Sequence, residues 1–423
     1  MFRRRIPLLL SLLVSFGAGG LCTASMGTAW ASGYRSLDVF ARVLAHVENS
    51  YVDEIDDTRL IYGAIKGMLS VLDPYTIFLA PDELATIRDD TAGEFGGLGI
   101  ELSEQEGEAG LVVVAPLDDT PASRAGIQAG DQILAIDGEP TEGMTIHGAV
   151  KLTRGSPGTK ISLRIMREGF TAPRTFELRR AVVRLQSVEA RLYPDGYGYV
   201  RIKHFQEKTD DALGKALVRL RKENGDKDLK GLVLDLRNNP GGLLDQAVRV
   251  ADRFLAKGVI VSTRGRGGRP MEIQRAHQAG TEPNYPLVVL VNEGSASASE
   301  IVAGALQDHG RAVVMGTNTF GKGSVQTVID LEDGSGLKLT IARYYTPKQR
   351  SIQGVGIVPD VHVEPIAVGP AIAPVLPPEP GIAPKEKEAR LGTEGVVDRQ
   401  LRAALDSLQR EGPGPSQGIA ADL

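Results

Sequence analysis

The sequence predicts an α/β core, with strand–helix alternation and a largely parallel sheet, that carries an N-terminal helical region, an inserted mostly-β domain and a C-terminal linker plus helix. Three observations predict this fold. Residues 36–90 repeat apolar residues at helical spacing, residues 95–183 contain short alternating strands, and residues 197–345 alternate strand-like and helix-like segments. The last pattern favours a parallel sheet covered by helices. Functional sites of such sheets lie just past the carboxyl ends of the strands.

Composition sets broad limits on the protein. The 423 residues include 42% hydrophobic residues, 50 glycines and 24 prolines, which predicts two or three domains with many turns. The net charge of −5 does not favour nucleic-acid binding. Cys22 is the single cysteine, so we expect no disulfide and no thiolate metal site, and no motif indicates a cofactor.

Residues 1–31 have the pattern of a secretory signal peptide. Three arginines precede a long apolar run, and Ala29-Trp30-Ala31 supplies the small residues of a cleavage site. Cleavage there would remove three arginines and no acid, and would change the net charge from −5 to −8. The sequence therefore predicts export to the periplasm. An uncleaved N-terminal segment that associates with the membrane is the alternative.

The domain boundaries follow changes of pattern along the chain. After the signal peptide we expect an N-terminal helical region at 32–94, a mostly-β domain at 95–183, an α/β core at 184–365, a proline-rich linker at 366–390, and a helix and tail at 391–423. Val39, Phe40 and Val43 form an apolar stripe near the start, and Val397, Leu401, Ala404 and Leu408 form one near the end. Such faces fit either a homodimer or packing on the core.

Two strand ends carry the candidate chemistry of the core. Strand-like KGLVLD runs into RNNPGG, strand-like YPLVVLV runs into NEGSASASE, and a helix follows each. Both loops therefore place backbone N–H groups and a helix N-terminus at one edge of the sheet, where they can hold an oxyanion. Serines recur at 295, 297 and 299 in the second loop.

A serine nucleophile needs a base, and no histidine lies in a polar cluster typical of a triad. Lys322, in GTNTFGKGSV, follows the next strand of the same sheet, where burial would favour a neutral amine. Gln326 lies on the same face of an extended segment, so its amide oxygen is placed to hold that amine. GTNTFGK also approaches a phosphate-binding P-loop, but Gly323 replaces the required Ser or Thr, and a strand replaces the helix.

Two structural alternatives remain open on spacing alone. Ser297 and Glu300 form an S-x-x-E capping box, which by itself accounts for the serine. Lys322, flanked by glycines, fits an ordinary surface lysine.

The segment GSASASEIVAGALQD, with Lys322 in GTNTFGKGSVQ 25 residues after Ser297, resembles the carboxyl-terminal processing peptidases, or tail-specific proteases. Further blocks resemble the same family in the same order: SYVDEID, LIYGAIKGMLSVLDPY, EFGGLGIEL, GLVLDLRNNPGGLLDQAV, LTIARYYTPKQRSIQGVGIVPD and DRQLRAAL. The resemblance implies that Ser297 is the nucleophile, Lys322 the general base and Gln326 its orienting partner.

The resemblance also implies the surroundings of the nucleophile. The oxyanion hole would use the N–H of Ala298 and that of Gly241 or Gly242, with Ser295 and Ser299 in supporting roles.

The chain departs from the family at one turn. Lys348-Gln349 stands where the family usually has Ser-Gly, which puts the local turn geometry and substrate preference in doubt. Asp308, a position once considered catalytic in the family, is interpreted as structural.

Residues 95–183 resemble a PDZ domain, which binds an extended peptide as an added strand and holds its terminal carboxylate in a backbone nest. The resemblance implies a nest at Gly97-Leu98-Gly99-Ile100, faced by a helix that starts near Thr145. Arg154, at the end of that helix, is a candidate for reporting bound substrate to the catalytic site. The expected partners are protein or peptide substrates with free C-terminal tails, and an activating or adaptor protein is a further candidate.

These observations predict an exported serine endopeptidase that recognises C-terminal tails through its PDZ domain and cleaves with a Ser-Lys dyad. The alternative is a PDZ-bearing scaffold with an inactive peptidase core. The joint presence of Ser297, Lys322 and Gln326 favours the enzyme. A third hypothesis, a hydrolase of small esters, conflicts with the presence of a peptide-binding domain.

Overall fold

The computed structural model describes residues 37–104, 110–365 and 398–411. The chain divides into two compact units, Met1–Phe78 and Leu79–Leu423. The predicted signal peptide, the proline-rich linker at 366–390 and Val397 lie outside the described residues. Among the helices that are described, none combines the length and the apolar character that a membrane span requires.

The first unit is helical in its described part. It contains α1 (37–50), α2 (Asp57–Leu69) and the start of strand β1 (Ile77–Leu79). Asp56 caps α2, because its carboxylate accepts a hydrogen bond from the amide of Arg59 at 3.3 Å. The apolar stripe of α1 stays in contact with solvent, since Val39 is 62%, Phe40 44% and Val43 55% exposed. Whether that stripe mediates dimerisation stays a prediction.

The second unit begins with a helix and a small β domain, referred to below as the inserted domain. Its elements are α3 (Pro81–Ala92), β2 (Glu94–Gly97), β3 (Ile100–Glu104), β4 (Leu111–Pro116), α4 (Pro121–Arg124), β5 (Gln132–Ile136), β6 (Glu139–Pro140), α5 (Ile146–Thr153), β7 (Lys160–Met166), β8 (Arg174–Arg179) and β9 (Ala181–Arg184). Strands β3, β4, β5, β7 and β8 form an antiparallel sheet in that order, and β6 pairs with β5. Strand β2 pairs with β9, with Glu94 opposite Arg184, so the chain enters and leaves this domain through one two-stranded ribbon.

The remaining elements build the core. They are β10 (Val188–Tyr193), β11 (Tyr197–Ile202), α6 (Thr209–Glu223), β12 (Gly231–Asp235), α7 (Leu244–Asp252), β13 (Val259–Arg264), β14 (Pro270–Arg275), β15 (Leu287–Val291), α8 (Ala298–Asp308), β16 (Val313–Gly316), β17 (Ser324–Asp330), β18 (Gly336–Tyr345), β19 (Val361–His362) and α9 (Arg399–Glu411).

The core sheet has the order β10-β11-β12-β15-β16-β19. Its neighbours from β11 to β19 are parallel, and only β10 runs antiparallel. Strand residues alternate between the two faces, so Leu232 and Leu234 pack towards α6, α7 and α8, whereas Val233 packs towards α9. Helix α9 buries Ala404 and Leu408 on that second face. The loops after β12, β15 and β16 all leave the sheet at its carboxyl edge.

A second sheet departs from the expected arrangement of the core. Strands β14, β13, β18 and β17 are neighbours in that order, and every pair is antiparallel. The prediction of a largely parallel sheet therefore describes the core sheet and misses this one. The cause is the short connection 331–335 between β17 and β18, where Gly334 has a φ of +84°, because a connection of that length joins only antiparallel neighbours.

Candidate active site

The two loops predicted from the strand ends lie side by side. Strands β12 and β15 are adjacent and parallel, so the loops that follow them start at the same edge of the core sheet. The hydroxyl of Ser295 donates to the carbonyl of Leu236 at 2.7 Å, and the hydroxyl of Ser299 donates to the carbonyl of Asn239 at 2.9 Å. Both serines are fully buried. Their hydroxyls therefore hold the two loops together.

Ser297 differs from the other two serines of its loop. It is half-buried, and its φ of +55° and ψ of −111° lie where residues other than glycine are rare. Such a conformation persists only where the surrounding structure imposes it, and it is found most often at functional sites. The side chain makes no capping hydrogen bond, although its amide donates to the carboxylate of Glu300 at 2.7 Å. The capping-box alternative thus explains the amide of Ser297 and not its hydroxyl.

One glycine of the first loop, Gly241, approaches Ser297 closely, and the next, Gly242, lies against the backbone of Phe205. A Cβ built on Gly241 would lie 2.8 Å from the Cβ of Ser297 and 3.0 Å from the amide nitrogen of Ala298, so no larger residue fits there. Gly241 and Gly242 have φ values of +105° and +136°, which glycine adopts without strain. The amide of Ala298, the first residue of α8, is one of the donors that a helix N-terminus leaves unpaired.

The two glycine amides are not equivalent. The N–H of Gly241 donates to Oδ1 of Asn239 at 2.9 Å. The N–H of Gly242 donates to no group in the described part of the chain, while its neighbours are fixed by the backbone of Phe205, which donates to Gly241 at 2.9 Å and accepts from Leu243 at 2.7 Å. In this conformation Gly242, rather than Gly241, keeps an N–H group without an acceptor in the described part of the chain.

Glu300 connects the serine loop to the loop 317–323 that follows β16. Its carboxylate is fully buried. Oε1 accepts from the hydroxyl of Thr319 at 2.6 Å and from the amide of Gly321 at 2.7 Å. Oε2 accepts from the amides of Ser297 at 2.7 Å and Lys322 at 2.9 Å. One carboxylate oxygen therefore holds the backbones of the predicted nucleophile and the predicted base next to each other.

The role of Glu300 was not evident from the sequence. The S-x-x-E spacing indicated only a helix cap, whereas the same carboxylate also binds a loop 19 to 22 residues further along the chain. Burial raises the pKa of Glu300, and the hydrogen bonds from Thr319, Gly321 and Ser297 oppose that rise. Three of its four donors are backbone amides, which cannot accept, so the arrangement fits the charged carboxylate.

Lys322 and Gln326 lie at the start of the hairpin formed by β17 and β18. The carbonyl of Lys322 accepts a hydrogen bond from the hydroxyl of Tyr344. The side-chain nitrogen Nε2 of Gln326 donates to Ser324 Oγ at 2.8 Å and to Thr340 Oγ1 at 3.3 Å. Gln326 and Ser324 thus share one face, as extended backbone requires, and the carbonyl oxygen of Gln326 points away from those two hydroxyls.

The far end of α8 carries two groups that could be mistaken for catalytic ones. The carboxylate of Asp308 accepts from the amide of Lys348 at 2.8 Å and from the guanidinium of Arg350 at 2.5 Å, so it fixes a turn. His309 Nε2 contacts the carbonyl of Val259 at 2.7 Å. Because α8 is about 16 Å long, both groups are remote from Ser297.

The predicted carboxylate nest lies between β2 and β3 of the inserted domain. The carbonyl of Leu98 accepts from the amide of Ala122 at 3.0 Å, and the carbonyl of Gly99 accepts from the amide of Leu117 at 2.9 Å. These bonds occupy the carbonyls of Leu98 and Gly99 and do not use their N–H groups, which are the donors that a carboxylate nest requires. Gly97 belongs to β2, where it pairs with Ala181.

The helix predicted to face this nest is α5, and Thr145 caps it as expected. Arg154 follows α5 and donates to the carboxylate of Asp90 in α3 at 2.9 Å. Its guanidinium also lies 4.6 Å from the ring centroid of Phe95. Nε and Nη1 of Arg154 are buried and find no hydrogen-bond partner in the described chain. Arg154 therefore connects the inserted domain to α3, which precedes it.

Residues with the chemistry of metal ligands do not cluster in the part of the chain that the structure describes. No group of three or more His, Cys, Asp or Glu side chains there could hold an ion.

Comparison with known families identifies three segments. Residues 196–363 match the Peptidase family S41, residues 112–167 match a PDZ domain, and residues 24–82 match the family described as the activating protease CtpB N-terminal domain. The first two matches lie within the core and the inserted domain.

Curated relatives match over most of their length. A carboxy-terminal-processing protease of Bartonella bacilliformis is 47% identical over 331 residues, covering 78% of this chain and 76% of that protein. A carboxyl-terminal-processing protease of Synechocystis is 41% identical, covering 72% and 71%. A solved structure of a photosystem II D1 C-terminal processing protease is 36% identical and covers 77% of this chain and 92% of that chain, with a TM-score of 0.46.

Proposed function

The chain belongs to peptidase family S41 and is a serine-type C-terminal processing peptidase with a PDZ domain, and from this premise we propose that Ser297 and Lys322 form its catalytic dyad. The observation that carries the proposal is the conformation of Ser297. Its φ is positive, and its hydroxyl makes no capping hydrogen bond. Glu300 accepts hydrogen bonds from the amides of both Ser297 and Lys322, and so links Ser297 to the lysine loop.

In this mechanism Ser297 Oγ attacks the carbonyl carbon of the scissile peptide bond, and its proton passes to the neutral amine of Lys322. The tetrahedral intermediate collapses when the lysine returns that proton to the leaving amine. Water then attacks the acyl-enzyme, again losing its proton to Lys322, and the lysine returns that proton to Ser297 Oγ as the bond to the acyl group breaks. Gln326 holds the lysine amine through its carbonyl oxygen.

The oxyanion of both intermediates is bound by backbone N–H groups. Ala298 supplies one donor from the N-terminus of α8, and the glycine pair Gly241-Gly242 supplies the other. The amide of Gly242 is the better candidate, because that of Gly241 already donates to Asn239. Donors fixed before the reaction stabilise developing charge without reorganising.

The PDZ domain selects the substrate through its free C-terminus. The tail pairs as an added strand beside β3, and its carboxylate approaches the N–H groups of the Gly97–Ile100 segment. This arrangement makes the enzyme an endopeptidase that acts on tails of protein substrates.

The proposed compartment is the periplasm. The support comes from the basic start, apolar run and small residues of residues 1–31. An N-terminal segment that stays uncleaved would attach the same catalytic domain to the membrane.

The test is cleavage of an unfolded protein by the purified enzyme and by Ser297→Ala. The variant should lose all measurable cleavage while its free energy of unfolding changes little, because the Ser297 hydroxyl makes no capping hydrogen bond. Ser156→Ala, which changes an exposed serine of the PDZ domain, is the matched control and should cleave normally. Cleavage by Ser297→Ala at the normal rate would refute the assignment. A wild type that binds the substrate and leaves it intact would instead favour the scaffold.

A further inference from the structure

Helix α9 begins at the same edge of the core sheet as the catalytic loops. Asp398 precedes it and caps it, because Oδ1 accepts from the amide of Leu401 at 3.0 Å. Gln400 donates to the carbonyl of Val363, just after β19, at 2.7 Å. The rest of α9 covers the face of the sheet opposite α6, α7 and α8. The first turn of α9 is thus close to the carboxyl ends of the strands, and its Leu401 already packs on the apolar cluster that contains Ala404.

Arg237 joins this first turn to the loop after β12. Its guanidinium donates to Asp398 from Nη1 at 2.9 Å and from Nη2 at 2.8 Å, and to Gln400 from Nη1 at 3.0 Å. It also donates to Asp235 from Nε at 3.0 Å and from Nη2 at 2.6 Å. All five guanidinium N–H groups are therefore used. Only 16% of the Arg237 side chain is exposed, which is low for an arginine.

The same loop carries Gly241, which lies against Ser297, and its neighbour Gly242. The backbone amide of Arg237 donates to Asp235 at 2.9 Å, so side chain and backbone are fixed together. Two residues later, the carbonyl of Asn239 accepts from the amide of Ala296 at 3.0 Å, and its side chain accepts from the amide of Gly241. Hydrogen bonds thus join α9 to Arg237, and two residues along the same backbone Asn239 holds the amide of Gly241.

We propose that Asp398 and Arg237 are positioning residues, through which α9 sets the glycine loop at the distance from Ser297 that the oxyanion requires. The inference rests on the proposed function. Without the fork from Asp398 and Gln400, the guanidinium keeps only Asp235, and the loop is held less firmly at its Arg237 end. The oxyanion forms only during the reaction, so a misplaced loop lowers kcat and leaves KM almost unchanged.

The test variant is Asp398→Ser. Serine still caps α9 but cannot bind the guanidinium with two charged oxygens. We expect kcat for an unfolded protein substrate to fall about 10-fold to 100-fold, as for displacement of a catalytic group, and less than the roughly 10²- to 10³-fold that follows complete loss of an oxyanion donor. KM and the unfolding temperature should change little. Asp398→Glu, which keeps the carboxylate, should recover most of kcat.

Two controls separate positioning from simple docking of the helix. Asp406→Ser removes an exposed acid of the same helix and should leave kcat unchanged. Leu408→Ala weakens the packing of α9 on the sheet, so it should lower the unfolding temperature and spare most of kcat. Arg237→Lys keeps a cation beside Asp235 and loses the planar fork. It should reproduce the kcat loss of Asp398→Ser.

Two results would overturn the inference. One is a wild-type kcat in Asp398→Ser. The other is an equal kcat loss in Leu408→Ala, which would make α9 merely structural. Ser297→Ala, measured in the same assay, keeps the proposed function separate. If cleavage survives in Ser297→Ala, the proposed function fails regardless of α9, whereas if it is lost there and Asp398→Ser cleaves normally, only the present inference fails.

Discussion

The carboxylate of Glu300 fixes the backbone geometry of the site, although Glu300 takes no part in the proposed proton transfers. A single buried carboxylate binds the amides of Ser297, Gly321 and Lys322 and the hydroxyl of Thr319. Only an acceptor-only group can satisfy so many donors at once. The loop that carries Lys322 is also tied to the serine loop through the amide of Phe320, which donates to the carbonyl of Ser295 at 3.0 Å. Glu300 adds the contact that joins the amides of Ser297 and Lys322 through one oxygen, so the relative position of serine and lysine depends in part on this charge.

Glu300→Gln should therefore damage both stability and activity. The amide keeps one acceptor oxygen and turns an NH₂ group towards two backbone donors, which leaves buried polar groups unpaired. We expect a loss of about 2–4 kcal/mol in the free energy of unfolding and a fall in kcat of at least tenfold. Chemical denaturation and steady-state cleavage measure the two effects. Glu293→Gln, at an exposed acid of the same loop, is the control. A Glu300→Gln variant as stable as the control would show that the carboxylate is not required.

Lys322→Arg distinguishes a base from a simple positive charge. A guanidinium cannot be deprotonated at usable pH, so the variant should be as inactive as Lys322→Ala. Loss of a general base typically costs 10²- to 10⁴-fold in rate. The measurement is cleavage of an unfolded protein with and without added ATP and magnesium. If Lys322→Arg retains activity, or if the wild type needs the nucleotide, the lysine serves as a phosphate-type cation and not as a base.

At the scale of elements, the sequence predicted the helices and strands whose apolar periodicity lies within one short segment. The stretch YPLVVLVN became β15 and ASASEIVAGALQD became α8, because their apolar periodicity and the following loop leave few alternatives. The strands β17 and β18 follow from the alternating pattern and turn of VQTVIDLEDGSGLKLTIARYY, whereas their assembly with β13 and β14 into a separate antiparallel sheet was missed, because the pairing of β13 with β18 joins residues distant in sequence. Local pattern also could not show which of Gly241 and Gly242 keeps a free amide, because a side chain decides that.

The turn 346–350 contains Lys348-Gln349, the pair at which the chain departs from the family. Gln349 has a φ of +61°, the region that glycine occupies freely. Its backbone amide donates to the carbonyl of Thr346 at 2.8 Å, which closes the turn. The amide of Lys348 donates to the carboxylate of Asp308, so the turn is also bound to the end of α8. The backbone of this turn is therefore kept even though its usual glycine is absent.

Gln349→Gly should consequently stabilise the protein. Relief of the left-handed conformation outweighs the added freedom of the unfolded chain, and the exposed hydrogen bond lost to Arg264 contributes little. We expect a gain of about 0.5–1 kcal/mol in the free energy of unfolding, measured by thermal denaturation. Lys348→Gly, next to it but without a positive φ, is the control and should destabilise. The same sign for both variants would contradict this account of the turn.

At the scale of the whole second unit, α3 connects the PDZ domain to the hairpin formed by β17 and β18. Arg88 of α3 forms an ion pair with Asp330 at the end of β17, and Asp90 of α3 forms one with Arg154 after α5. The first pair is largely exposed and contributes little to stability. The second is less exposed on its arginine side, at 22% of the side chain. A peptide bound beside α5 therefore lies next to the contact by which the PDZ domain meets the rest of the unit.

Recognition of the substrate tail is best tested on the substrate and not on the nest. Gly99 has a φ of +73°, and a Cβ there would lie 2.4 Å from Thr120, so any substitution would strain the domain itself. A peptide that ends in an apolar residue with a free carboxylate should instead be compared with the same peptide amidated at its end. A hydrogen bond to a charged group contributes roughly 1.5–3 kcal/mol, so amidation should lower kcat/KM by about one to two orders of magnitude. The loss appears in KM if the domain only docks the tail, and in kcat as well if the tail bound beside α5 also acts through Arg154 and Asp90. Equal kcat/KM values for the two peptides, measured far below saturation, would show that the terminal carboxylate is not recognised.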